Sequence, residues 1–268
     1  MEIAPAIRAR IDGILGGIEQ REDVRLLFAI ESGSRAWGFP SPDSDYDVRF
    51  VYARPLDWYL TLEPGRDVIE LPVDPVMDVN GWDIRKALSL LLKPNPVLLE
   101  WLQSPIRYRW DAEACSQLSA LAARVAHGPA CLHHYLHLSK KQWHKHIEGR
   151  DTVNLKRYFY VARPVMAIRW MRLRTDIAPP MNFHELRDGI DLPSPLVAEL
   201  DRLLVMKSQA SESGDGARIA ALDDFIRHEM AWAVEAVKTV SKPGADLRAD
   251  ADAMFRTIVT TERSDTKS

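Results

Sequence analysis

Cysteine is scarce in this chain. Cys115 and Cys131 are the only two in 268 residues. They have no metal-ligand spacing and cannot staple a disulfide-built fold, so both read as reduced thiols. Neither sign of charge is in large excess: 35 Lys and Arg face 38 Asp and Glu, a net charge of −3. A polyanion would therefore need a local basic patch and not a field of the whole molecule. No apolar run nears the roughly 18 residues that cross a bilayer. Met1-Glu2-Ile3-Ala4-Pro5 lacks the basic and apolar regions of a secretory signal. These absences set the expectation of a cytoplasmic protein with no membrane partner. Internal repeats and low-complexity tracts are also missing. What remains, 46% hydrophobic and 27% charged residues, suits a globular chain of one large domain or two modest ones.

Apolar periodicity predicts a helix over 5–20, with Ile7, Ile11, Ile14, Leu15 and Ile18 on one side. A buried strand is expected over 24–31, then a Gly33-Ser34 turn into a short helix ending near Gly38. A Pro- and Ser-rich loop follows over 39–44, a strand over 45–52 and a short helix over 56–62. Strands are expected at 67–71 and 76–80. A helix starts at Asp83, and another is capped by Asn95, with Pro96 at its first position, and runs to Leu102. Beyond about residue 110 strand signals largely vanish, and helices are expected over 112–126, 128–147, 151–174, 194–208 and 215–238. The expected class is α+β: a small catalytic domain over 1–108, an all-helical domain over 109–247, and an extension over 248–268, partly disordered.

The most informative stretch runs from Gly33-Ser34-Arg35 to Ser44-Asp45-Tyr46-Asp47. A glycine lets backbone approach phosphate oxygens that a side chain would block. Ser34 adds a hydroxyl donor, and Arg35 is a candidate phosphate contact or a structural ion pair. Asp45 and Asp47 stand two apart on an expected strand, so both carboxylates leave one face. Two hard oxygen ligands converging there suit Mg2+ or Mn2+. Arg49 shares that face and can balance the acids or touch phosphate, whereas Tyr46 points to the core side. Trp37 could stack on a base, with core packing as its simpler role. His133 and His137 are four apart but lack the Glu of a His-Glu-x-x-His site, so no zinc site is expected there.

Gly-Ser followed by Asp-x-Asp on a strand resembles the signature of the DNA polymerase β-like nucleotidyltransferase superfamily. The fuller blocks are similar to one branch, the YcgL-like or RNA-repair-associated (RlaP-type) predicted nucleotidyltransferases. Those blocks are Ser32 to Phe39, Ser44 to Phe50, Asp78 to Ala87, Asn95-Pro96, Glu100 to Leu102, Ser104-Pro105, Lys156 to Pro164 and Arg169-Trp170. The resemblance covers roughly residues 24–185. It implies a polymerase-β-like domain, a mixed sheet with flanking helices, followed by the helical domain that completes the cleft. It also implies a third carboxylate from a neighbouring strand, for which Asp78 is the first candidate, Asp74 and Asp83 are rivals and Glu70 is more remote. Asp83 has a competing role as a helix cap. By the same resemblance Lys156 would hold the phosphates, with Tyr160 and Arg163 beside the nucleotide.

The implied activity is transfer of a nucleoside monophosphate from an NTP to a hydroxyl, with an RNA 3′ end as the favoured acceptor. The basic helices over 138–174 are a plausible RNA surface. Alternatives are nucleotidylation of a protein or small-molecule hydroxyl, and a non-catalytic nucleotide- or RNA-binding module.

Overall fold

The structure, a computed structural model, describes residues 3–72, 74–93, 95–125, 128–175, 177–209, 214–239 and 246–261. Its sheet is built from β1 (Arg25–Glu31), β2 (Tyr46–Ala53), β3 (Val68–Glu70), β4 (Met77–Asp83) and β5 (Arg107–Trp110). The strand order is β3-β4-β2-β1-β5. β1 is antiparallel to both β2 and β5, β3 is antiparallel to β4, and β2 and β4 are parallel. A parallel pair needs a crossover. Here the chain between β2 and β4 supplies it, carrying the single-turn helix α3 (Leu56–Tyr59) and β3; a short helix, α2 (Gly33–Trp37), links β1 to β2.

Alternation along β2 divides the core. Val48, Phe50 and Tyr52 face helix α1 (Pro5–Glu22) and pack with its buried Ile11, Leu15 and Ile18. Val51 and Ala53 join the second apolar cluster. That cluster also takes buried residues of α4 (Ile84–Leu91), α5 (Pro96–Leu102), α6 (Ala112–Arg124), α7 (Gly128–His146) and α8 (Tyr158–Leu173). One continuous cluster therefore joins the sheet to the helical half. The expected caps are present: the Asp83 carboxylate accepts the Arg85 N–H at 2.8 Å, and Asn95 Oδ1 accepts the Val97 N–H at 2.9 Å. Cys115 and Cys131 are buried, and neither is in a disulfide.

Several elements differ from the sequence reading. β5 falls in the segment read as a boundary; it has four residues, two of them arginines, and pairing with β1 outweighs its weak pattern. Residues 152–154 (β6) and 215–217 (β7) form a small antiparallel pair where helix was expected. A 3-10 turn, Leu155–Arg157, precedes α8. Short α9 (Phe183–Asp188), capped by Asn182, was not foreseen. α10 (Ser194–Gln209) and α11 (Ala220–Thr239) follow. The region read as an extension contains α12 (Arg248–Thr260), whose Ala251, Ile258 and Val259 are buried. Residues 262–268 of that extension lie outside the described residues.

A buried ion pair ties α5 to α8. Arg163 lies 3.0 Å from the Glu100 carboxylate, with side chains only 5% and 12% exposed. Arg163 also donates to the Met181 carbonyl, and Tyr135 of α7 donates to Glu100 at 2.8 Å. Stranding one buried charge costs about 3–5 kcal/mol, whereas an apolar pair in its place is often neutral. Arg163→Met should therefore lower the urea unfolding free energy by about that amount, and Glu100→Leu/Arg163→Met should recover most of it. Additive losses in the double variant would contradict the coupling.

Candidate active site

The site begins where β1 hands over to α2. The Ser32 N–H donates to the Asp47 carbonyl at 2.7 Å, which ties the turn to β2. Gly33 has φ +60, and a Cβ there would lie 1.8 Å from Asp47 Oδ2. Only glycine lets the turn close over that carboxylate. Gly38 ends α2 with φ +89, and its carbonyl lies 2.9 Å from His184 Nε2 of α9.

Ser34, read as a hydroxyl donor to phosphate, and Arg35, read as a phosphate contact or a structural ion pair, brace the neighbouring loop in this structure. The Ser34 hydroxyl donates to Ser44 Oγ at 3.0 Å, and the same oxygen accepts the Ser41 N–H at 2.9 Å. Arg35 donates to the carbonyls of Ser44 and Asp45, and its guanidinium lies 4.0 Å from the Tyr46 ring centre. Both hold the 41–46 loop in place.

Register brings the acids together. Asp47 of β2 is the direct partner of Asp78 of β4, and exposed Asp45 immediately precedes β2. Burial pushes the Asp47 carboxyl above its ordinary range; Arg49 opposes this, while Asp45 and Asp78 add to it. Arg49 donates to Asp47 Oδ1 at 3.0 Å and to Asp78 Oδ2 at 2.6 Å. The rivals of Asp78 have other work. Asp83 caps α4, accepts the Tyr59 hydroxyl at 2.7 Å and is 1% exposed. Asp74 accepts the N–H groups of Val76 and Met77 and pairs with Arg10. Glu70 pairs with Arg66 on the outer strand.

Among the described residues no three His, Cys, Asp or Glu side chains converge as a ready-made metal cage. The guanidinium of Arg49 instead spans two of the acids. The donor chemistry of Asp45, Asp47 and Asp78 nevertheless fits a hard divalent cation.

The helical half faces these acids. Lys156, in the 3-10 turn, lies 3.4 Å from Asp43 Oδ1. Burial pushes the Tyr160 phenol up against the pull of Arg157, and Asp45, Asp47 and Asp43 raise it further, so Tyr160 shares the acids' field. Trp37 packs edge-on to Tyr160 with centroids 6.3 Å apart. Arg163, read as lying beside the nucleotide, pairs with Glu100 inside the fold, and its guanidinium lies 4.7 Å from the Trp37 ring centre. The basic stretch 138–174 also divides. Lys140, Lys141, Lys145 and Arg150 are exposed, whereas Arg169 and Arg172 pair with buried Glu229.

A family described as the RNA repair pathway DNA polymerase beta family, RlaP, matches residues 7–257. The chain belongs to the RlaP family. It is also similar to a Bacillus subtilis (strain 168) protein whose name is "Uncharacterized protein YcgL". The two are 38% identical over 253 residues, covering 94% of this chain and 96% of that protein. The RlaP match takes in the sheet and the helical half alike.

Two residues of this RlaP chain escaped the sequence reading. Glu31 ends an otherwise apolar strand just before Ser32-Gly33, a buried charge whose position was its only signal. One carboxylate oxygen accepts the Asp47 N–H at 2.9 Å, and the other accepts the Tyr108 hydroxyl at 2.6 Å. The second residue is Lys207 of α10, an interior lysine without a sequence signature.

Burial pushes the Glu31 carboxyl up from 4.5 to about 7, against both hydrogen bonds. The fold thus favours its protonated form. That stabilisation is complete below about pH 4.5 and is lost as the pH rises through 7. Glu31→Gln keeps an acceptor for the Asp47 N–H and offers an amide to the Tyr108 oxygen. Between about pH 5 and about pH 8 the wild type should lose roughly 2–3 kcal/mol more unfolding free energy than the variant. Parallel urea-stability profiles would assign the titration to another group.

Proposed function

We propose that the protein is a nucleotidyltransferase that moves a nucleoside monophosphate from an NTP to an acceptor hydroxyl and releases pyrophosphate. The acceptor in this reading is an RNA 3′ end. The observation that carries it is the facing of Asp47 and Asp78 across β2 and β4 beside the Gly33 turn. Membership of a polymerase-β-like RNA repair family supports the reaction class and the acceptor.

Asp45, Asp47 and Asp78 would hold Mg2+ or Mn2+. When bound, such ions lower the pKa of the attacking hydroxyl and neutralise the leaving pyrophosphate. In this reading Asp78, whose side chain is 57% exposed, accepts the hydroxyl proton. The hydroxyl oxygen attacks the α-phosphorus, and the bond to the β-phosphate oxygen breaks. Arg49 holds Asp47 and Asp78 side by side. Glu31 fixes the Asp47 backbone, and Gly33 lets the turn close over the Asp47 carboxylate. Lys156 and Tyr160 supply the opposite wall, Lys156 for the triphosphate and Tyr160 for the nucleoside. The exposed lysines at the end of α7 suit an RNA backbone, whose binding would weaken with salt.

Purified protein incubated with α-labelled NTPs, Mg2+ or Mn2+ and cellular RNA should label RNA. Asp45→Ala and Asp47→Ala should abolish labelling while leaving the fold intact. Lys156→Ala should weaken NTP binding by roughly 1–3 kcal/mol, the worth of a charged hydrogen bond. Wild-type labelling in either aspartate variant would overturn the assignment of the acids. Label on protein or a small molecule instead would move the acceptor. NTP binding with no transfer to any acceptor would make the protein a binding module.

A further inference from the structure

Lys207 is the most anomalous cation in the described structure. It is only 3% exposed, and its Nζ has no hydrogen-bond partner among the described residues. The ammonium lies among aromatic faces, 4.3 Å from the ring centre of Phe39, 5.3 Å from Tyr160 and 5.5 Å from Phe159. Helix α10 packs against the Leu155–Arg157 turn. Lys156 and Arg157 therefore add repulsion, which only Asp43 offsets. Burial, with those two neighbours, pushes the Lys207 amine down to about 8. A desolvated charge without an ionic partner is costly, and a methionine would fill the same space at less cost. Contacts with ring faces return part of that cost.

The position is what gives the charge a use. Tyr160 is the shared wall: Lys207 lies against its ring, and its phenol feels Asp45 and Asp47. Lys207 and Arg157 both lie against the Tyr160 ring, 5.3 and 5.6 Å from its centre, and Lys156 stands close enough to Lys207 for their charges to repel. A lysine stem is flexible enough to carry its ammonium off the rings toward an arriving anion.

We propose that Lys207 is a second triphosphate-binding residue, delivered from α10 beside Lys156. It rests on the nucleotidyltransferase reading and adds a binding group to that site. The ligand is a polyphosphate chain carrying several negative charges, which meets all three cations at once. The lysine is thus held at a cost to the free protein and is satisfied when the nucleotide binds.

The test uses the full chain, with Lys207→Met and Lys207→Gln. Thermal unfolding is followed without ligand, and binding of inorganic tripolyphosphate, of a non-hydrolysable NTP with Mg2+ and of a short single-stranded RNA is measured by calorimetry. Lys207→Met should melt at least about 2 °C higher than wild type, since an unpaired charge is removed. Both variants should bind tripolyphosphate and the NTP at least about tenfold more weakly, the effect of a lost charged hydrogen bond. RNA binding should be unchanged. Wild-type polyphosphate affinity in the variants would overturn the proposal and leave the nucleotidyltransferase reading standing. Failure of the wild type to bind any polyphosphate would overturn both. A loss confined to RNA would make Lys207 an acceptor contact instead. A lower melting temperature or unfolding of both variants would make it a structural strut on the aromatic rings and would also overturn the proposal.

Discussion

Like charges placed opposite one another on paired strands repel, and Asp47 faces Asp78 in this way across the parallel pair β2–β4. Most of the surrounding structure keeps that arrangement in place. Arg49 reaches both carboxylates from two residues along β2. Glu31 accepts the Asp47 N–H from the adjoining strand and is itself fixed by Tyr108 of β5. The Gly33 turn passes close to the Asp47 carboxylate because it carries no side chain. Each support comes from a different strand or turn, so the acids depend on the sheet being complete.

The helical half is positioned by the same kind of buried polar contact. Glu100, Arg163 and Tyr135 connect α5, α8 and α7. At the start of α8, the Tyr158 hydroxyl donates to Asp223 at 2.9 Å and accepts the Ile219 N–H at 3.1 Å, while Arg218 donates to Asp223 at 2.8 Å. These bonds fix the turn that presents Lys156 and the helix that presents Tyr160. Stacked Phe39 and Phe159, 4.9 Å between centroids, close the seam between the Gly33 side and the helical side. The sheet and the helical half are therefore set relative to each other by packing and not by a linker.

Much of this was legible in the sequence because it depends on spacing. Asp45 and Asp47 two apart, Asn95 before Pro96, and the α1 stripe from Ile7 to Ile18 each carry a local physical signature. Asp83 has the capping role suspected of it; that Asp78 stands opposite Asp47 is a matter of strand register, which no local pattern shows. Other features depend on contacts distant in sequence. Arg163 sits on a helix face that suggests a ligand contact, yet Glu100, 63 residues earlier, takes its charge. The contacts of Ser34 and Arg35 with the 41–46 loop are about ten residues away in sequence, and no local pattern shows them. β5 and the β6–β7 pair are too short for period-two alternation to mark them. Lys207 had no signature because its meaning lies in what surrounds it.

The central claim is that three carboxylates and the facing cations form one site for a nucleotide together with its divalent ion. Thermal unfolding with Mg2+ alone, with a non-hydrolysable NTP alone and with both together tests it most directly, since a ligand raises stability only by binding the folded state. The account predicts a large rise in melting temperature only when metal and nucleotide are both present, and loss of that rise in Asp47→Asn. Equal stabilisation by nucleotide with and without the metal, unchanged in Asp47→Asn, would contradict it.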